Sequence, residues 1–157
     1  MRGQSGSTAL GRYQLLRAPP IDAGWRDRVT GNWTARAHAA GVGRDADFLA
    51  NPAAQEAAFN DVMRENDRQL RVNGAMRFVV QDLPGLRGET VPVTEAGLAA
   101  ATHREGANTV RHYLEHRAAN LSPPASVPGQ RGDLSRFNEV ERRLRAFAQT
   151  PYERMSP

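Results

Sequence analysis

Pro92-Val93-Thr94-Glu95-Ala96-Gly97-Leu98-Ala99-Ala100-Ala101-Thr102-His103-Arg104-Glu105-Gly106-Ala107-Asn108-Thr109-Val110-Arg111-His112-Tyr113 is the stretch on which the fold turns. Thr94 is a good N-cap, because its hydroxyl can accept an orphan N–H of the first turn, and Glu95 favours the positive end of the helix dipole. The pattern predicts a helix from Glu95 to about Arg104. Its face is Leu98, Ala101 and Thr102, with small residues around it that suit close packing. Gly106 ends it. Asn108 is the predicted cap of a second helix, from Thr109 to about Arg117, carrying Val110, Tyr113 and Leu114. Two short helices meeting at a glycine set the class as mainly α.

On the N-terminal side of this stretch, Phe78-Val79-Val80 and Thr90-Val91-Pro92-Val93 are β-prone runs separated by Pro84-Gly85 and Gly88. They predict a small hairpin or an extended loop near 78–93, and Pro92 limits the second run to an edge strand. Asn51-Pro52 opens the clearest helix. Proline fits the first helical position, and Ala54, Ala58, Val62 and Leu70 follow at helical spacing up to Gly74. Asp45 is read as the cap of a short helix holding Phe48 and Leu49. Asn32 is read as the cap of another, from Trp33 to about Ala40. Pro19-Pro20 reads as a helix interruption. At the other end, 118–133 is rich in Pro, Ser and Gly and reads as a linker. Leu134, Phe137, Val140, Leu144 and Phe147 then form an amphipathic stripe over 134–149. The expected organisation is a domain at 1–117, that linker, and a C-terminal helix. The helix either packs back or docks elsewhere.

The length, 157 residues, suits one domain with a single core. No apolar run approaches a membrane span. Met1 to Ser7 has no apolar h-region, so no export signal is expected. The chain has no cysteine, which excludes disulfides and thiolate zinc sites. All 21 basic residues are arginine, and with the many alanines this fits the codon bias of a GC-rich bacterial genome. A net charge of +4 gives a modest field that favours polyanions without naming one.

Among candidate chemistry, His112 and His116 stand four apart, a spacing that can hold a metal. No zincin context accompanies them, and they are read as a polar face, with no metal and no cofactor expected. Arg142, Arg143 and Arg145 form a basic cluster read as a solvated face. Glycosidase chemistry needs a half-buried carboxyl that can donate a proton. Glu65, Glu139, Glu141 and Glu153 read as exposed, Glu56 faces either way, and Glu105 is read as a charge in a last helical turn.

Ala9-Leu10-Gly11-Arg12-Tyr13-Gln14 resembles the Gly-Ala-x-Gly-x-x-Gln segment of the lysozyme-like lytic transglycosylases and related phage wall hydrolases. Leu98 to Tyr113 is similar to that family's Ala-Tyr-Asn-x-Gly segment, with His103 in place of Tyr and Arg104 in place of Asn. Phage-associated relatives with Ala-His-x-x-Gly-Ala are closer. Phe48 to Gln55 and Pro92 to Leu98 are similar to the family's links into its central and cleft helices. Together these matches run from about Gly6 to Arg117.

The resemblance implies a lysozyme-like helical domain and a peptidoglycan glycan strand as ligand. It implies substrate contacts at Gly11, Tyr13, Gln14, His103 and Gly106, with cell wall or periplasm as the compartment. A tyrosine offers a flat apolar face and a hydroxyl to a sugar ring. The family's acid is a Glu well upstream of the Gly-x-x-Gln segment. Only ten residues precede Gly11, and none is Glu. Gln4-Ser5-Gly6 echoes Glu-Ser-Gly but stands too close, and glutamine has no proton to donate. The catalytic residue is therefore unidentified. The expectation is an N-terminally truncated glycan-cleaving domain with negligible turnover. The alternatives are a non-catalytic peptidoglycan-binding or structural module, and third an arginine-rich nucleic-acid binder. Oligomeric state is open.

Overall fold

The computed structural model of the chain describes residues 18–126 and 132–152. Among these, the protein is mainly helical. It has α1 (Ala18–Asp22), α2 (Ala35–Ala39), α3 (Asp45–Leu49), α4 (Pro52–Val72), α5 (Glu95–Glu105), α6 (Ala107–Ala118) and α7 (Asp133–Ala146). A 3-10 turn, Ala75–Phe78, and the strands β1 (Asp82–Pro84) and β2 (Thr90–Pro92) complete the described elements. No described helix is long and apolar enough to cross a membrane. Two compact units are present, 1–65 and 66–157, and the division falls within α4.

The first unit has an aromatic core. Trp25, Trp33 and Phe48 are buried with Ala37, Val42, Ala54, Ala58 and Val62. Trp33 stacks on Phe48 at 5.1 Å, and Trp25 meets Phe48 edge-on at 6.4 Å. Helices of five residues cannot stand alone in water, so this packing holds them. The prolines at 19 and 20 lie within α1, where a missing N–H in the first turn is harmless; residues 13–17, where the helix they were read to interrupt would open, lie outside the described residues. Asn32 and Trp33 do not begin α2. Trp33 pairs with Arg26 in an isolated antiparallel bridge, which keeps the chain extended until Thr34. Asp45 lies inside α3 and does not cap it. Asp47 accepts from the Gly43 and Arg44 N–H groups instead, at 3.0 and 3.1 Å. Asn51 behaves as the sequence predicts: its Oδ1 accepts from Ala54 N at 3.0 Å at the start of α4.

The second unit has an aliphatic core of Leu70, Leu83, Val91, Val93, Leu98, Val110, Leu114, Val140 and Leu144, with Tyr113 and Phe137. β1 and β2 are antiparallel, with Leu83 opposite Val91. The first strand is therefore 82–84 and not 78–80. Phe78 ends the 3-10 turn with its ring in the core. The chain then reverses at Val80 (φ +65°), whose N–H donates to Val93 O at 3.0 Å and continues the pairing beyond β2. Thr94 Oγ1 accepts from Gly97 N at 3.1 Å, the expected cap of α5. Gly97 lets α7 lie directly on α5: a Cβ there would stand 3.2 Å from Leu144 Cα. The C-terminal helix thus packs back within this unit through Phe137, Val140 and Leu144, while Leu134 and Phe147 are half-buried.

Candidate functional site

Gly11, Tyr13 and Gln14 lie outside the described residues. His103 and Gly106 stand at the corner between α5 and α6. Gly106 N donates to Thr102 O at 2.8 Å, and Gly106 O accepts from Val110 N at 3.2 Å, so one residue closes α5 and opens α6. Asn108, the predicted cap, lies inside α6. Gly106 adopts φ +83° and ψ 152°, a region essentially closed to residues with a side chain. Nothing lies within 4 Å of where its Cβ would stand. The backbone angle, not crowding, demands glycine, and the corner is left bare.

His103 occupies the last turn of α5, half-buried. Burial first, then the guanidinium charges of Arg143 and Arg104, push its imidazole below the ordinary value of 6.5. It is therefore neutral at pH 7, able to hydrogen-bond a neutral oxygen or N–H and unsuited to hold an anion by charge. Arg104 is exposed beside it.

Tyr113, at the end of the same segment, belongs to the core. It is fully buried, edge-on to Phe137 at 5.5 Å, and its hydroxyl donates to Glu141 Oε2 at 3.0 Å. Burial, then the Glu141 charge, push the phenol far above its usual range.

Glu141 is the carboxylate that the sequence pattern misplaced. It is 8% exposed, not on a solvated face. Its Oε2 also accepts from Leu86 N at 2.9 Å, and its Oε1 accepts from Arg145 Nη2 at 3.0 Å. Arg145 reaches on to Thr90 O at 2.8 Å, and buried Arg117 donates to Pro84 O at 2.8 Å and Leu121 O at 2.7 Å. Gly85 sits so close that a Cβ would fall 2.7 Å from Glu141 Oε1 and 2.8 Å from Arg145 Nη2. The group pins the hairpin to α6 and α7. Both carboxylate oxygens are engaged as acceptors, the reverse of what a proton donor needs. The clue was available: Phe137, Val140, Glu141 and Leu144 follow the i, i+3, i+4, i+7 spacing of one buried face.

The basic cluster on α7 is neutralised locally. Arg142 and Arg143 bind Glu139, with closest approaches of 2.6 and 2.9 Å, and Arg145 binds Glu141. The Arg142 bond, with Arg143 behind it, holds the Glu139 carboxyl down to about 2 against the opposing effect of burial. A polyanion would have to displace these partners. The two histidines of α6 are also engaged. Arg117 Nη1 lies 3.3 Å from His116 Nδ1, and a guanidinium can only donate. In the neutral ring the proton is then on Nε2, which leaves that ring no bare nitrogen for a metal.

Each unit also has a cavity of its own. In the second unit, about 390 Å³ opens beside Arg87, Asn138, Glu141 and Arg142. In the first unit, about 650 Å³ opens beside Arg26, Asn32, Trp33, His38 and Asp45, within the range of small-molecule sites. No family model, curated protein or solved structure matches the chain.

Proposed function

We propose that this chain is a lysozyme-like domain of lytic-transglycosylase descent that binds peptidoglycan glycan strands. Its proposed contacts are Gly11, Tyr13, Gln14, His103 and Gly106. The order and spacing of the two sequence segments support this reading. The observation that carries it is the corner: a neutral, half-buried His103 beside an exposed backbone at Gly106. Such a pair suits a neutral sugar, whose hydroxyls and acetamido groups need fixed hydrogen-bonding partners and an unobstructed approach.

Cleavage is not part of the proposal for these 157 residues. The buried Glu141 is committed to the hairpin as an acceptor through both its oxygens. Zymography on purified cell wall should give no clearing by this chain, and clear lysis would overturn that statement. His103→Ala should weaken retention on insoluble peptidoglycan by about five-fold, the loss of one hydrogen bond. Because the imidazole is already neutral, retention of the parent chain should not change between pH 7 and pH 8.

A further inference from the structure

We infer that the cavity of about 650 Å³ in the first unit is a second saccharide site, one that takes a neutral, hydroxyl-rich sugar ring by hydrogen bonding. Its floor is Arg26, 6% exposed, with its guanidinium carbon 3.9 Å from the centre of the Trp33 ring. Arg26 Nη1 donates to Gly31 O at 2.9 Å, and Nη2 pairs with Asp45 Oδ1. Trp33 Nε1 donates to the same Oδ1 at 3.1 Å.

Two donors thus fix one oxygen of Asp45. The other, Oδ2, takes no bond among the described residues, and the side chain is 57% exposed. His38 is oriented in a similar way. Its Nε2 lies 3.1 Å from Trp33 O, which can only accept, so in the neutral ring Nδ1 is left as an acceptor. The Asn32 amide lines the cavity and makes no side-chain bond among the described residues. The wall therefore presents two fixed acceptors and one amide able to give and accept.

Charge decides what this wall can hold. Arg26 is paired with Asp45, and Arg44, also on the wall, is paired with Asp47 at 3.1 Å. With Asp47 counted beside the lining residues, the carboxylates and guanidinium groups balance, and neither sign is left in excess to attract an ion. A small ligand rich in O–H donors satisfies the acceptors without breaking either pair. Trp33 is covered by Arg26 and Phe48, so recognition rests on hydrogen bonds and not on ring stacking.

This inference rests on the proposed function only for the choice of sugar. Chitotetraose, the neutral tetramer of N-acetylglucosamine, is the probe. The chain has two tryptophans, and each indole N–H is bonded to a different aspartate, Trp33 to Asp45 and Trp25 to Asp61. In nuclear magnetic resonance titrations, the Trp33 indole signal should shift saturably while that of Trp25 stays. Asn32→Ala, which removes no bond seen in the fold, should weaken the Trp33 response by about five-fold. Asp45→Asn, which turns one oxygen into a donor, should abolish it.

The Gly106 amide reports the α5–α6 corner in the same spectra. In the parent chain, a Trp33 shift with Gly106 silent would support the cavity while removing the corner. A Gly106 shift with Trp33 unmoved would overturn the cavity alone. A Trp33 shift with inorganic phosphate and none with chitotetraose would also overturn it, since that marks an anion site.

Discussion

The two units use the carboxylates that meet their cores in opposite ways. In the first, Asp45 and Asp61 sit at the margin of an aromatic core. Each accepts an indole N–H and an arginine, and Asp45 keeps one oxygen open to a cavity. In the second, Glu141 lies inside an aliphatic core and is closed off by Tyr113, Leu86 and Arg145. Short helices and a loop need side-chain bonds to hold their shape, and those bonds leave polar groups near solvent. Longer helices pack through Gly97 and Leu144, and what polar material they bury must be fully satisfied. Recognition is thus expected from the open carboxylate of the first unit and from the bare α5–α6 corner, and rigidity from the fully bonded Glu141.

The largest test of that contrast is Glu141→Leu. It leaves the Tyr113 hydroxyl and the Leu86 N–H without their acceptor and removes one of the Arg145 bonds, and should cost about 3–5 kcal/mol, as two stranded polar groups do. Chemical denaturation followed by circular dichroism measures it. A loss below about 1 kcal/mol would mean that the hairpin does not depend on the clamp. Asp61→Ala is expected next, at about 2–3 kcal/mol. It leaves the Trp25 indole N–H, which is fully buried, without its acceptor, and also removes the Arg36 and Arg64 pairs. Tryptophan fluorescence reads this directly, because both tryptophans lie in the first unit. A shift seen equally in that signal after Glu141→Leu would show the two units unfolding as one and would blur the contrast.

The smallest effect is expected from Glu139→Gln, on the solvent side of α7. Its folded value, about 2, lies below the ordinary 4.5, so its contribution is fully present above pH 4.5 and fades as pH falls toward 2. The variant should be less stable than the parent at pH 7, by about 1 kcal/mol or less for so accessible a pair, and should converge with it as pH falls toward 2, which flattens the acid limb in that window. An unaltered acid limb would show that the Arg142 and Arg143 bonds do not couple to folding.

Much of the second unit was legible. Thr94 and Gly106 mark the ends of α5, the small residues of α5 face α7, and the apolar stripe of α7 is the buried one. Local chemistry decides these features, so local sequence reveals them. The first unit was less legible because long-range contacts override local preference. Trp33 is drawn into a bridge with Arg26, which moves the start of α2, and Asp45 is taken from capping by Arg26 and Trp33. The first strand was misplaced because Phe78 is apolar for the core and not for a sheet. Glu141 escaped because charge was weighed above its position on the helix. At the candidate corner, the glycine stop of α5 and the place of His103 in its last turn followed from sequence, while the backbone angles of Gly106 came only with the fold and Tyr113 belonged to the core. The cavity at Arg26, His38 and Asp45 had no signal, since its residues are scattered and only folding assembles them.

The central claim is that this chain holds peptidoglycan glycan strands. The direct measurement is retention of the purified 157-residue chain on insoluble peptidoglycan at rising salt. Saturable retention that survives moderate salt is predicted, because a neutral histidine and an open backbone do not rely on charge. Retention no greater than that of the denatured chain would contradict it.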